Sequence, residues 1–238
     1  MRPARTACLS LLLVFAVGCG GSGDPADSLD AGSVAQAEAL RQQYEAARTE
    51  GHWEVAETHA DTLRQRFPAA KAADAVLGTL PEVRTRAEAA RETRRLRELW
   101  TYQQTPVEGG TQHTATIYSR TPPAGDDLPS VQPDVQLVLR DHPSWGRSAY
   151  LLLAQKDFSC VAPCHLQIAF DDGEATRFAG RAADSGKGPA LFIEDETAFE
   201  AALAKAKEVR IRLPEGSGRL RSASFDVAGF TPGRYAKP

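Results

Sequence analysis

The chain has 238 residues, 42% of them hydrophobic and 25% charged, which excludes a collagen, a coiled-coil rod and a wholly disordered tail. Lys and Arg number 28 against 31 Asp and Glu, a formal charge of −3, so no global basic footprint points to nucleic acid. No run approaches the roughly 20 apolar residues that a bilayer-spanning helix requires, which predicts a soluble body.

The first predicted element is a targeting segment. Residues 1–18 begin with Arg2 and Arg5, continue through an apolar stretch from Ala7 to Val17 and end on small residues. That is the layout of a cleaved secretory signal, with an apolar core too short to span a bilayer. The run Phe15-Ala16-Val17-Gly18-Cys19 resembles the lipobox of bacterial lipoproteins, with Ala16 where Leu is usual. The resemblance implies attachment of diacylglycerol to Cys19 through a thioether, cleavage after Gly18 and acylation of the new amino group. Two or more acyl chains, at roughly 0.8 kcal/mol for each buried CH₂, make membrane residence effectively permanent. Residues 19–34, opening on Gly20-Gly21-Ser22-Gly23-Asp24-Pro25, then read as a lipidated flexible tether. By the same resemblance, Gly20 rather than Asp after the modified cysteine implies the outer membrane, facing the periplasm. The inner membrane or another cell-surface face are the alternatives, and an unlipidated secreted protein is the competing reading.

Residues 35–100 carry a dense Ala/Glu/Arg/Leu pattern at helical spacing. Leu40, Tyr44, Ala47, Gly51, Trp53, Ala56, Ala60, Leu63 and Pro68 stand at the spacings of a tetratricopeptide repeat, which residues 35–68 resemble. A second copy starts at Ala72 and is expected to break at Pro81. Such repeats need about three copies to bury a continuous core, so this helical hairpin leans on the C-terminal half or on another protein. Tyr44, Trp53, His52 and His59 form its candidate binding surface. His52 and His59 are seven apart, about 10 Å along a helix axis, too far for one metal ion without further ligands. Glu82 to Trp100 predicts a charged helix whose Arg91, Arg94, Arg95 and Arg97 form a basic cluster. That cluster is either a solvated face or a contact for anionic headgroups or an acidic partner.

Residues 101–238 change texture. Alternation predicts strands over 112–118, 135–139, 148–154, 165–170, 175–178, 190–193, 209–213 and 222–227, separated by Pro and Gly clusters. Asp172-Gly173 marks a hairpin turn, and Phe199 and Leu203 predict one short amphipathic helix over 196–206. This half resembles a β-sandwich-like domain that recurs in bacterial periplasmic proteins. The features shared are Trp100-Thr101-Tyr102, Leu137-Val138-Leu139-Arg140, Cys160 with Cys164, Phe170-Asp171-Asp172-Gly173, the Phe199 helix leading into Val209-Arg210-Ile211, and Phe225 to Phe230. The resemblance implies a fold and no reaction. The expected fold class is therefore α+β: a tetratricopeptide-like helical hairpin, then a mostly antiparallel β-sandwich-like domain with one short helix.

Of the four cysteines, Cys8 leaves with the signal and Cys19 carries lipid, so Cys160 and Cys164 remain. In an oxidising compartment one pair reads as a disulfide. It closes a loop of about five residues, worth roughly 2 kcal/mol in the loop-entropy picture. CxxxC followed by His165 also leaves open a redox-active pair or a soft-metal site for Cu(I). Against these stand the strand-like surroundings, where no helix N-terminus lowers a thiol pKa, and the initiator as the only methionine.

No GxSxG, SxxK or HExxH occurs, and Gly186-Lys187 lacks the earlier glycine and the Ser/Thr of a phosphate loop. Asp171 and Asp172 read as turn formers. Asp141, His142 and Trp145 share a segment with Pro143 and Gly146, compatible with a polar binding loop or with turn chemistry alone. The sequence thus predicts a non-enzymatic, lipid-anchored scaffold or protein-binding module of the cell envelope. Its expected contacts are the membrane and an envelope protein partner, with no cofactor and no nucleic acid. A thiol-redox or copper-handling protein is the alternative.

Overall fold

A computed structural model describes residues 29–120, 135–153, 160, 164–183, 189–214 and 220–235. The signal segment and Cys19 lie outside the described residues. The fold is α+β, with six helices and nine strands among those residues. No described helix is long and apolar enough to cross a membrane.

Helix α1 spans Ala31–Thr49 and starts inside the expected tether. Asp30 is the reason: its carboxylate accepts from the Ser33 backbone N–H at 2.8 Å and from the Ser33 hydroxyl at 3.0 Å, satisfying a first-turn donor. The chain reverses through Gly51 at φ +76°, a left-handed conformation that favours glycine. Helix α2 follows over Trp53–Arg66, then α3 over Lys71–Val76 and α4 over Leu80–Glu98. Pro81, expected to break a second repeat ahead of the charged helix, lies in the first turn of α4. At the first helical turn its missing N–H has no intrahelical partner to lose.

Ala37, Tyr44, Ala56, Ala60, Leu63, Val76 and Val83 form one core between these helices. Tyr44, expected on a binding surface, is fully buried there. Its phenol is satisfied inside: Thr79 donates to the Val76 carbonyl at 3.3 Å, which leaves the Thr79 oxygen to accept from the Tyr44 hydroxyl at 2.6 Å. Tyr44→Phe keeps the ring and loses that bond. The expected cost is about 1 kcal/mol in chemical denaturation, with an unchanged denaturant slope.

The strands are β1 Thr101–Val107, β2 Gly110–Tyr118, β3 Val135–His142, β4 Gly146–Leu153, β5 Cys164–Phe170, β6 Thr176–Ala182 and β7 Ala190–Ile193. Helix α5, Glu196–Leu203, precedes β8 Glu208–Pro214 and β9 Leu220–Asp226, and α6 is Pro232–Tyr235. All pairings are antiparallel, in one sheet of order β1-β2-β3-β4-β7-β6-β5-β8-β9 that is not closed. Alternate residues of these strands, among them Ile117, Leu139, Leu151, Ile168, Ile211 and Phe225, share a second core. Phe199 projects into it from α5 and meets the rings of Phe170 and Phe178 at 5.9 and 6.1 Å.

The two cores are joined at the end of α4. Trp100, the next buried residue, stacks on Tyr102 and meets the tilted ring of Phe230. Gly229 lies directly against the Leu96 carbonyl, where any Cβ would collide with helix backbone. Arg95 reaches Asp226 at 3.8 Å, and Arg120 pairs with both Asp226 and Glu208.

Candidate functional site

The inward face of the sheet is apolar along most of its length and turns polar at one end. The β2–β3 and β3–β4 registers place Ala115 beside Leu139 and Ala149. Two residues on, the same face carries His113, Asp141 and Arg147 in line, with Gln104 opposite His113 on β1. An amide, an imidazole, a carboxylate and a guanidinium therefore form a row across four adjacent strands.

That row opens into a cleft of about 410 Å³ lined by Gln104, Thr111, His113, Asp141 and Pro143. One wall exists because the β1–β2 turn leans on the β3–β4 turn. A Cβ at Gly110, which has φ +150°, would come within 3.3 Å of Pro143. At the Arg147 side the row continues into helices. Glu200 of α5 lies 3.8 Å from Arg147 and accepts from the buried Tyr235 hydroxyl of α6 at 3.1 Å. Burial holds the Glu200 carboxyl above the usual carboxylate range, opposed by the Tyr235 hydrogen bond and by Arg147. Burial, reinforced by the Glu200 charge, pushes the Tyr235 phenol well above its ordinary value. The cleft offers hydrogen-bond donors and acceptors of both signs, suited to a polar ligand, beside a half-buried acid whose pKa burial raises.

Of the segment noticed in the sequence, only Asp141 and Pro143 line the cleft. His142 points to the other face, where its ring stacks on Trp145 at 3.9 Å and its Nδ1 accepts from the Ser144 N–H. Gln104, His113, Arg147, Glu200 and Tyr235 were missed by sequence reasoning. Their signal was an alternation of inward residues that ends in polar side chains, recognisable only once the register is known.

The helical surface is organised differently. The α2 carboxylates Glu54, Glu57 and Asp61 pair with the α4 guanidiniums of Arg94, Arg91 and Arg84 at 2.6, 2.6 and 2.8 Å. Arg95 pairs with Glu92 at 2.7 Å. Three of the four arginines in the sequence's basic cluster are therefore committed within the chain. Trp53 is half-buried under Arg86 at 5.6 Å, and both line a groove of about 520 Å³ with Arg94 and Arg97. His52 is exposed beside Glu50 at 3.2 Å, and His59 is half-buried on α2. The four candidate residues do not converge: Tyr44 is core, and the two histidines stand apart from the Trp53 groove lining.

The Cys160 and Cys164 sulfurs are 2.10 Å apart, at disulfide distance, and both residues are buried. Cys164 faces the core, whereas His165, the next residue on β5, is exposed on the opposite face. The pleat thus separates the imidazole from the sulfurs.

Asp171 is a turn former, with φ +50°. Its carboxylate accepts from the backbone N–H groups of Lys207 and Glu208 at 2.7 and 2.9 Å, tying the β5–β6 turn to the start of β8. Those N–H donors, Glu208's first, hold its pKa below the usual value. A carboxylate with a lowered folded pKa stabilises the fold above its unfolded pKa, and that contribution is lost as pH falls through the folded value. Asp171→Asn keeps the turn conformation and loses the charge. It is expected to melt a few degrees below wild type at neutral pH, with the gap closing as the pH is taken below the ordinary carboxylate range. Thermal unfolding at both pH values checks this. Glu200 has the opposite sign, because its raised pKa makes ionisation costly to the fold.

No protein-family model matches the chain, and no curated protein sequence matches it significantly. Among solved structures, the crystal structure of invasion associated protein b from Bartonella henselae is similar at 16% identity with a TM-score of 0.37. That likeness covers 57% of this chain and 87% of that one.

Proposed function

We propose that the protein is a lipid-anchored, non-enzymatic binding module of the bacterial cell envelope, facing the periplasm from the outer membrane. In this reading Cys19 carries the anchor and residues 20–30 form the tether. The α1–α2 pair is a tetratricopeptide-like hairpin leaning on α4, and the nine-stranded sheet is a sandwich-like body pinned by Cys160–Cys164. The observation that carries the anchor is the lipobox-like run ending at Cys19 ahead of a glycine-rich segment. The polar cleft supports binding, because its donors and acceptors converge at the open end of an apolar core. The Trp53 groove gives the helical half a second surface for an envelope protein partner.

Membrane fractionation and intact mass of wild type beside Cys19→Ala test the anchor, with thiol counting on the same samples. The reading expects a lipid-heavy, membrane-bound wild type, a variant released from the membrane, and no free thiol. A soluble wild type without added mass overturns the anchor. Cys160 and Cys164 titrating as free thiols overturns the structural bridge and favours the redox or copper reading.

A further inference from the structure

The chain is acidic overall, yet its acidity is not spread evenly. With the core-facing positions set aside, the outward positions of β3, β4, β7, β6 and β5 include Arg140, Arg177, Arg181 and His165 and no carboxylate. The neighbouring strand β8 adds Arg210 and Arg212, its one outward acid, Glu208, being paired with Arg120. Arg177 and Arg212 flank Gln167 from either side, so their backbones stand about 10 Å apart on adjoining strands. The floor between the arginines is small and neutral, with Ala169 and Ala179 facing outward. Arg210 and Arg212 each spend one N–H on the chain, Arg210 on the Asp171 carbonyl at 2.6 Å and Arg212 on Gln167 at 3.5 Å, which leaves most of their five donors outward. Arg181 lies 3.6 Å from Glu194, and Asp172 and Glu174 bound the patch at the β5–β6 turn.

The same face extends into aromatic side chains. Arg181 sits over Phe192, Phe192 meets Tyr150, and Arg140 lies over both Tyr150 and Trp145. Trp145 is 70% exposed at the rim. Guanidiniums beside an exposed indole are the composition that settles at a charged bilayer interface, where headgroup phosphates meet the cations and the ring occupies the headgroup level.

We infer that the outward face of β6, β5 and β8, centred on Arg177, Arg210 and Arg212, docks on the anionic phosphates of a lipid surface. The inference rests on the proposed anchor for its geometry: nine residues stand between Cys19 and Leu29, a leash of at most about 35 Å, so the folded body stays within reach of the headgroups. The acyl chains hold the protein near the membrane, and the arginine face sets which side it turns to it.

The test uses the full chain carrying Cys19→Ala, so that vesicle binding is read without lipidation and independently of the anchor. Co-sedimentation compares vesicles of phosphatidylcholine alone with vesicles of phosphatidylcholine mixed with phosphatidylglycerol. The expected result is binding to the anionic vesicles that falls with salt and is about 25-fold weaker in Arg177→Gln/Arg212→Gln, roughly fivefold for each charge. Arg177→Lys/Arg212→Lys retains it, and the helical pair Arg64→Gln/Arg66→Gln, with the same charge change elsewhere, leaves it unchanged. Equal anionic binding by the Gln pair and its parent overturns the proposal, as does an equal loss in the helical pair. Binding of soluble polyglutamate without binding of anionic vesicles assigns the face to an acidic protein and overturns the lipid assignment. A wild-type protein without lipid mass overturns the anchor alone.

Discussion

Phe199→Ala is expected to lower stability by about 3–5 kcal/mol. The side chain is fully buried, and it is the main apolar group that α5 inserts between the strands. Its ring meets Phe170 on β5 and Phe178 on β6, so removal opens a cavity bordered by two strands and a helix that cannot collapse together. The loss also reaches the cleft. Glu200 follows Phe199 directly and joins Arg147 to Tyr235, so loosening α5 releases the carboxylate at one end of the polar row. Chemical denaturation of Phe199→Ala and Phe199→Leu checks this. The Leu variant, which keeps more of the volume, should lose less than half as much, and equal losses would show that the site does not depend on packing volume.

Gly229→Ala is expected to cost about 2–4 kcal/mol through a different cause, overpacking of backbone against backbone. A Cβ at Gly229 would enter the space of the Leu96 carbonyl group, and neither the end of α4 nor the segment after β9 is a flexible side chain that can swing aside. This contact couples the helical half to the sheet, next to the Trp100–Phe230 ring contact at 4.9 Å. The variant should therefore show a lowered melting temperature together with a changed tryptophan environment. Gly78→Ala is the control, because a Cβ there meets nothing within 4 Å and should leave stability nearly unchanged. If Gly229→Ala melts with wild type, the close approach of α4 to the sheet's last strand is not a constraint on the fold.

The α2–α4 ion pairs change how the helical half is read. In the sequence, Arg91, Arg94 and Arg95 form a cationic cluster, while Glu54, Glu57 and Asp61 belong to a different helix. Packing α2 against α4 brings the two sets together, so the charge a partner meets is far smaller than the sequence displays. The arginines of β6 and β8 show the reverse. Scattered at 177, 181, 210 and 212, they form no run in the sequence, and strand pairing across β5 gathers them.

Several features are written locally and were legible in the chain itself. The α+β division, α2, the strands β2 through β9 and helix α5 follow from periodicity, because 3.6-residue and two-residue repeats of apolar side chains need no tertiary knowledge to be recognised. The turn role of Asp171 was equally local, a residue whose short acid tolerates positive φ. Strand β1, Thr101–Val107, was not legible. Its sequence is mostly polar and largely exposed, and it is a strand because β2 offers it a full antiparallel ladder at the sheet edge. Pro81 was legible as the boundary between the shortened second repeat and the charged helix that follows, and the structure places it in the first turn of α4, where its missing N–H costs nothing. Tyr44 was expected on a binding surface; Thr79, 35 residues away, supplies the partner that allows it to be core. The polar row of Gln104, His113, Asp141 and Arg147 is a product of register, since four residues spread over more than forty positions meet only when four strands align. By itself the sequence determined most of the helical and strand segments, those with a clear apolar period, and where the cysteine pair falls. The tertiary structure alone decided which charges cancel, which gather and where the core opens, because those depend on pairings between residues that the chain keeps far apart.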